Sequence, residues 1–348
     1  MSYASPVILA TGGYDHKIRF WEATTGACTK TLNFGDSQVN CLSVSPDKSL
    51  LAAGGNPQLQ LFDIKGSSSD GKPLVSYEGH SGNVMAVGFQ KDLKWLYTGS
   101  EDGTVRVWDP RSNTSTRTYD CGSSVNTVAL SPNQAELVTG DQNGNVKIWD
   151  LNADKCREEY VPAQDIPVRS ISIGFDASLI AVGSHKGKVF LYQPTSDKVS
   201  HPSAILACFF CMRPFSAPPS PHNLLTFCPL PLPLYASQKL ELVGDFQAHS
   251  EYLLKCVVSP DVNVIATTSA DKTIKLWSTA GKLEATLAQH QRWVWDAVFS
   301  ADSLYLVSAS SDYSARLWDL RTGEVIRLYS AGNNLAVTCV ALNDSENS

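Results

Sequence analysis

Residues 101–108 read Glu-Asp-Gly-Thr-Val-Arg-Val-Trp, a tight turn that leads into a short strand closed by a tryptophan. Six further stretches of the chain end in an aromatic residue in a similar way. The seven closing aromatic residues are Trp21, Phe62, Trp108, Trp149, Tyr192, Trp277 and Trp318. Their successive separations are 41, 46, 41, 43, 85 and 41 residues. Such a period, with Trp-Asp endings, is typical of four-stranded propeller blades, because one such sheet buries both faces only when neighbours stack on it.

The sequence therefore predicts an all-β fold, a seven-bladed WD40 β-propeller that occupies residues 1–348 as a single domain. The two ends of the chain are out of phase with the blades. Residues 7–11 have the pattern of the second strand of blade 1, and residues 335–342 supply the innermost strand that this blade lacks. We expect the N- and C-terminal strands to pair, because their pairing removes an exposed sheet edge and closes the ring.

Composition and charge argue against several classes of function. The formal net charge is -6 and the lysines and arginines are spread along the blades, so we expect no nucleic-acid partner. No secretory signal precedes the first strand, and the longest apolar run, residues 204–212, is far shorter than the roughly 20 residues of a membrane helix. The nine cysteines are odd in number, and those outside residues 199–238 occur singly in or beside strands, so we expect reduced thiols and no disulfide framework. We expect a cytoplasmic protein without membrane insertion, cofactor, metal or small-molecule substrate.

Three repeats carry the same four residue types at the same spacing. The sets are His80, Thr98, Asp102 and Trp108; His249, Thr267, Asp271 and Trp277; and His290, Ser308, Asp312 and Trp318. A hydroxyl, a histidine and an aspartate together suggest nucleophilic catalysis. A catalytic group occurs once in a chain, however, whereas this one recurs at the blade period. We interpret the sets as structural hydrogen-bond chains, and because no phosphate loop or other catalytic motif is present we predict that the protein is not an enzyme.

Residues 199–238 do not fit the repeat. They hold eight of the 18 prolines, three of the nine cysteines and one charged residue. We place them in blade 5, between the strand that ends at Tyr192 and the outer strand, on the face opposite the turn that contains Asp102. We predict a disordered, proline-rich insertion and interpret it as a retained in-frame intron that joins Lys198 to Lys239 when removed. Two alternatives are a proline-rich partner motif and a zinc site formed by Cys208, Cys211, His222 and Cys228.

Several stretches are more specific than the generic repeat. They are residues 13–16 with 19–21, 36–40 (Asp-Ser-Gln-Val-Asn), 132–137 (Pro-Asn-Gln-Ala-Glu-Leu) with 140–142, 292–295 (Arg-Trp-Val-Trp), and 310–312 with 315–318. These stretches resemble the G-protein-β-subunit-like (GβL) propeller of target of rapamycin kinase complexes, from about residue 7 to residue 344 without the insertion. The resemblance implies a non-catalytic scaffold subunit that binds the catalytic lobe of target of rapamycin kinase and supports its activity. Its partners would be that kinase and the other subunits of its complexes.

Partner binding is expected on the propeller face formed by the turns before the closing strands and by the starts of the innermost strands. Exposed tryptophan and tyrosine beside arginine concentrate binding energy. The predicted partner-binding residues are Tyr14, Asp36, Ser37, Gln38, Asn40, Arg292, Trp293, Trp295 and Ser311. One of the paired tryptophans could instead pack against blade 6, whose residues 250–254 depart from the family pattern. The sequence leaves open a WD40 adaptor of another class, such as a ubiquitin-ligase substrate receptor or a reader of short basic peptides.

Overall fold

The computed structural model describes residues 7–65, 71–195, 239–332 and 334–344. Within these ranges, 28 β-strands form seven four-stranded antiparallel sheets. The innermost strands of neighbouring sheets contact one another around a complete ring. The predicted seven-bladed β-propeller is therefore confirmed.

The strands of each blade follow the chain from the axis outward, except in blade 1. Blade 1 contains β1 (Ile8–Gly13), β2 (Lys17–Trp21), β3 (Cys28–Asn33) and, innermost, β28 (Val337–Asn343). Blade 2 contains β4 (Cys41–Val44), β5 (Leu50–Gly54), β6 (Leu59–Asp63) and β7 (Val75–Tyr77). Blade 3 contains β8 (Val84–Phe89), β9 (Leu96–Ser100), β10 (Thr104–Trp108) and β11 (Ser115–Asp120). Blade 4 contains β12 (Val125–Leu130), β13 (Glu136–Asp141), β14 (Val146–Asp150) and β15 (Lys155–Tyr160). Blade 5 contains β16 (Val168–Ile173), β17 (Ile180–Ser184), β18 (Lys188–Pro194) and β19 (Leu240–Gln247). Blade 6 contains β20 (Leu253–Val258), β21 (Val264–Ser269), β22 (Ile274–Ser278) and β23 (Leu283–Leu287). Blade 7 contains β24 (Val294–Phe299), β25 (Tyr305–Ser310), β26 (Ala315–Asp319) and β27 (Glu324–Tyr329).

Glycines in the second strands let neighbouring blades approach closely. A Cβ atom on Gly99 would lie 2.4 Å from the side chain of Val128, and one on Gly140 would lie 2.4 Å from that of Val168. In each case the valine belongs to the innermost strand of the following blade. A larger residue would therefore push the two sheets apart, because an interior packed this densely has no room for added methyl groups.

The two ends of the chain close the ring. Strand β28 pairs antiparallel with β1, and the register runs from Ile8 opposite Asn343 to Gly13 opposite Val337. The amide group of Asn343 also donates to the carbonyl oxygen of Ser45 in blade 2, at 2.8 Å. The predicted closure by the terminal strands is confirmed.

The predicted insertion interrupts blade 5 between β18 and β19. The pairing of these strands continues to Pro194 opposite Leu240, and the backbone nitrogen of Thr195 donates to the carbonyl oxygen of Lys239 at 2.7 Å. The hairpin is thus closed by the residues that flank the insertion. The disorder, intron, zinc-site and partner-motif interpretations of residues 199–238 lie outside the described residues.

Candidate partner-binding face

The central channel opens on the predicted face through a ring of seven residues, which we call the bulge ring. Six of them occupy β-bulges, where the pairing of an innermost strand slips by one residue. The seven residues are Asn40, Met85, Asn126, Arg169, Leu254, Trp295 and Thr338. All seven line the channel cavity, whose volume is about 540 Å³. In the six bulges this orientation follows because a bulge redirects the side chain of the unpaired residue.

Four side chains form a continuous strip on this face across blades 5, 6 and 7, which we call the aromatic arc. The rings of His185 and Tyr252 stack with their centroids 4.2 Å apart. Tyr252 meets Trp293 edge-on at 6.5 Å, and Trp293 lies 5.5 Å from Trp295. Tyr252 remains 44% exposed and Trp293 remains 41% exposed. The arc is therefore held in place by ring contacts while it still offers apolar surface to solvent.

Polar contacts fix the two predicted contact residues at the ends of the Arg-Trp-Val-Trp stretch. The guanidinium of Arg292 lies 4.9 Å from the ring centre of Tyr313 and donates to its hydroxyl at 2.7 Å. The indole nitrogen of Trp295 donates to the hydroxyl of Ser311 at 2.6 Å. Trp295 is half-buried in the channel mouth, whereas Trp293 contacts blade 6 and is still exposed. Packing against blade 6 and surface exposure are thus combined in Trp293.

The remaining predicted contact residues lie on the blade 1 and blade 2 side of the same face. Tyr14 and Asp36 are exposed, and Gln38 and Asn40 are half-buried. Ser37 is different, since only 6% of it is exposed. Its hydroxyl accepts a hydrogen bond from the backbone nitrogen of Asn56 at 2.6 Å and donates to the carbonyl of Gln38 at 3.1 Å. The buried side chain of Ser37 supports the turn that presents its neighbours, and its role in partner binding stays a prediction.

The three polar sets form closed hydrogen-bond chains inside blades 3, 6 and 7. In blade 3, Nδ1 of His80 lies 2.7 Å from the Asp102 carboxylate, and Nε2 lies 2.7 Å from the hydroxyl of Thr98. The indole nitrogen of Trp108 donates to the same hydroxyl at 2.9 Å. The sets of His249 and His290 repeat these contacts, with every distance between 2.7 and 3.0 Å.

The chemistry of these chains leaves no free nucleophile. An ionised carboxylate only accepts, so Nδ1 of the imidazole donates to it and Nε2 is left as an acceptor. The hydroxyl therefore donates to Nε2 while it accepts from the indole. Thr98, Thr267 and Ser308 have no exposed surface. A substrate has no access to these hydroxyls, and their role is to connect two strands with the turn beside them.

The aspartates of the sets are held in their ionised form. Burial alone would raise the pKa of Asp102, but hydrogen bonds from Thr104 and His80 outweigh it and hold that pKa at about 2. The same balance of burial and hydrogen bonds lowers the pKa values of Asp271 and Asp312 well below the usual range. Each aspartate thus contributes a fixed negative charge to its chain at neutral pH.

Comparison with known proteins identifies the family. The model of the WD domain, G-beta repeat, matches residues 26–63, 71–109, 113–150, 240–278 and 281–319. The target of rapamycin complex subunit wat1 of Schizosaccharomyces pombe is 46% identical over 341 residues, which cover 97% of this chain and 96% of the relative. The subunits LST8 of Saccharomyces cerevisiae and of Rattus norvegicus are 42% and 38% identical and are covered to 99% and 96% of their lengths, with 97% and 98% of this chain aligned.

This chain belongs to the LST8 family. The resemblance to the GβL propeller is thereby confirmed. On this face of the LST8 propeller, the structure also places His185, Tyr313 and Arg169, which the sequence did not single out. His185 occupies the turn position that Tyr14 and Ser311 occupy in their own blades, so its place in the repeat was an available signal.

Two of the blades in this LST8 propeller keep only part of the polar set. The indole of Trp21 donates to Thr11 at 2.8 Å in blade 1, and that of Trp149 donates to Thr139 at 3.1 Å in blade 4. Blades 2 and 5 have the buried apolar residues Ala52 and Val182 at the hydroxyl position. The bond between indole and hydroxyl is therefore more widespread around the ring than the complete set.

The described residues offer no metal site, since no group of three or more histidine, cysteine or acidic side chains there could hold an ion. All six cysteines in the described ranges are free thiols. Burial raises the pKa values of Cys41, Cys121 and Cys256 to about 12, which keeps these thiols protonated. In the same part of the chain, no helix is long and apolar enough to cross a membrane.

Proposed function

We propose that this protein is a non-catalytic scaffold subunit of a target of rapamycin kinase complex, that it binds the catalytic lobe of the kinase, and that it supports kinase activity. Relatives that match nearly the whole chain carry the name of such subunits, which supports the assignment. The hydroxyls that could suggest catalysis are buried and fully hydrogen-bonded, which supports a binding role. We further propose that the protein acts in the cytoplasm without nucleic acid, membrane insertion or small-molecule substrate.

The aromatic arc is the observation that carries this proposal. A binding surface gains most from large aromatic side chains that are ordered before the partner arrives, because less side-chain entropy is then lost on docking. Tyr252 and Trp293 satisfy both conditions, since their ring contacts hold them while much of each ring faces solvent. Truncation of such a residue at an interface typically costs about 2 kcal/mol or more, which is a loss of affinity of about thirtyfold.

Co-purification tests the proposal. The full-length chain with Trp293→Ala should recover target of rapamycin kinase at least tenfold less well than the wild type, with a Tm close to that of the wild type. Leu328→Ala is the matched control, because Leu328 is also an exposed apolar residue of blade 7 but lies on the outer strand β27. Phosphorylation of a kinase substrate by the recovered material gives a second readout.

One outcome would contradict the docking surface, and another would contradict the kinase-complex role itself. Recovery of the kinase at the wild-type level with both Trp293→Ala and Trp295→Ala would show that the aromatic arc is not the docking surface. Recovery of a cullin adaptor in place of the kinase would support a ubiquitin-ligase receptor instead. A large drop in the Tm of a tryptophan variant would show that its indole stabilises the fold, and the recovery would then be measured with Tyr252→Ala.

A further inference from the structure

We propose that the channel mouth is a receptor site for an acidic side chain of the docked partner, and that Arg169 binds its carboxylate. This inference rests on the proposed function, because it concerns the same face of the propeller. It adds the chemistry that the partner segment must have, an aspartate or glutamate next to the apolar residues that cover the aromatic arc.

The position of Arg169 directs its side chain toward a docked partner. Arg169 is the bulged residue between Val168 and Ser170, and it lines the channel cavity. The other six members of the bulge ring are uncharged, so Arg169 carries the sole charge of the ring, all of which lies in the described ranges. A carboxylate that enters the mouth therefore meets one cation and no competing anion within the ring.

The guanidinium of Arg169 has no hydrogen-bond or ion-pair partner among the described residues, unlike the other charges of the channel. The ammonium of Lys255 lies 3.2 Å from the Asp296 carboxylate. The carboxylate of Glu101 accepts a hydrogen bond from the side-chain nitrogen of Asn83 at 2.6 Å. Lys255 and Glu101 are thus paired with Asp296 and Asn83. The five N–H donors of Arg169 remain available.

The surroundings of Arg169 favour a carboxylate over a second cation or an apolar group. Burial lowers the pKa of Arg169, so its charge is partly removed from water, and Glu101 offsets this effect only in part. A desolvated guanidinium gains most from a planar anion that accepts two parallel hydrogen bonds. Burial and the charge of Arg169 also lower the pKa of His185, which keeps this ring neutral.

His185, the blade 5 end of the aromatic arc, supplies a second polar group. Its Nδ1 atom is buried and has no hydrogen-bond partner within the described part of the chain. Buried polar atoms are nearly always paired in native structures, so an unpaired nitrogen at this position is unusual. Arg169 and His185 thus give the arc a polar end in blade 5, which fits a segment whose acidic residue follows or precedes its apolar ones.

Charge reversal in the full-length chain tests this inference. We expect Arg169→Glu to reduce the recovery of target of rapamycin kinase at least tenfold, and Arg169→Met to reduce it less, because Met removes the attraction without adding repulsion. Arg327→Glu is the matched control, since Arg327 is an exposed arginine on the outer strand β27. Raising NaCl from about 0.1 M to 0.5 M should weaken the recovery of kinase by the wild type more than the recovery by Arg169→Met. Salt screens the attraction between Arg169 and the carboxylate, which the variant lacks.

The outcomes separate this inference from the proposed function. If Arg169→Glu recovers the kinase at the wild-type level while Trp293→Ala does not, the inference is overturned and the proposed function stands. If both recover it fully, the carboxylate site at Arg169 and the aromatic arc are both wrong as docking contacts. The Tm of Arg169→Met should equal or exceed that of the wild type, and a variant with a lower Tm is replaced by Arg169→Gln. Restoration of Arg169→Glu binding by an acidic-to-lysine substitution in the kinase would identify the partner residue.

Discussion

The carboxylate of Asp296 in blade 7 accepts a hydrogen bond from the backbone nitrogen of Val340, in the closing strand of blade 1, at 3.0 Å. Its other oxygen lies 3.2 Å from the ammonium of Lys255 in blade 6. The charge of Asp296 raises the pKa of Lys255, although burial of the ammonium opposes this effect. One side chain therefore links three consecutive sheets beside the axis.

Asp296→Ala should lower the free energy of unfolding by about 2 kcal/mol, because it leaves the Val340 amide without its acceptor. The ion pair itself contributes less, since Lys255 is partly exposed to solvent. Urea denaturation measures the effect. Glu284→Ala, on the exposed face of β23, is the control and should leave stability unchanged. An Asp296→Ala protein as stable as the wild type would show that the closing strand does not depend on this contact.

Removal of residues 335–348 should destabilise the whole propeller by more than about 4 kcal/mol, a range that single lost contacts rarely reach. The truncation exposes the edge of β1 and removes the buried residues Cys339, Val340 and Ala341. Limited proteolysis should then cut the chain in several blades, where the intact protein resists. Removal of residues 345–348 alone is the control. Cleavage restricted to blade 1 would contradict the idea that the ring is stabilised as a unit.

Stability should fall with pH in acid because of the three polar sets. The pKa of Asp102 is about 2 in the folded protein and about 4 in an unfolded chain, so the unfolded chain binds protons first as the pH falls. The stabilisation by the ionised Asp102 carboxylate is complete above the pKa that this group has in the unfolded chain, and it is lost between about pH 5 and pH 2. Burial also lowers the pKa values of His80 and His290 in the folded protein. The unfolded chain therefore binds protons first, and the protein loses further stability as the pH falls below about 6.5.

Urea denaturation at several pH values checks this dependence. Asp102→Asn should reduce the loss of stability between pH 5 and pH 3 by about 1 kcal/mol, because the depressed carboxyl pKa is gone. Asp165→Asn removes an exposed carboxylate outside the three sets and is the control. Equal slopes for Asp102→Asn and the wild type would mean that the set does not stabilise the ionised aspartate.

Deletion of residues 199–238, with Lys198 joined to Lys239, should leave the propeller intact. The Thr195 and Lys239 backbones are already hydrogen-bonded, so the shortened loop connects strands that lie in register. Shortening the connection should stabilise the protein by up to about 2 kcal/mol through a smaller closure entropy. Calorimetry would show a higher Tm. Loss of the folded state would mean that the segment is part of the structure.

We also propose that the segment is encoded by a retained intron. Cloning of the transcript would then yield a shorter message that joins the codons of Lys198 and Lys239 directly. The absence of that message from every tissue would contradict the hypothesis without affecting the fold.

The blade period, the ring closure and the four-residue sets could be read from the sequence because each is a local pattern that repeats. The bulge at Arg169 could not, since a slip of one residue in strand pairing leaves no trace in the alternation of apolar and polar residues. The burial of Ser37 depends on a turn nineteen residues away at Asn56. The stacking of His185 on Tyr252 depends on how two blades pack, which a repeat pattern does not specify.

The buried imidazoles have a use in spectroscopy. Each Nδ1 proton in the three sets lies in a bond of 2.7 to 2.8 Å to a carboxylate, away from water. Such a proton exchanges slowly and gives its own magnetic resonance signal, so His80, His249 and His290 act as separate reporters of blades 3, 6 and 7. The loss of one signal on titration with the kinase would reveal which blade opens, without any label attached to the protein.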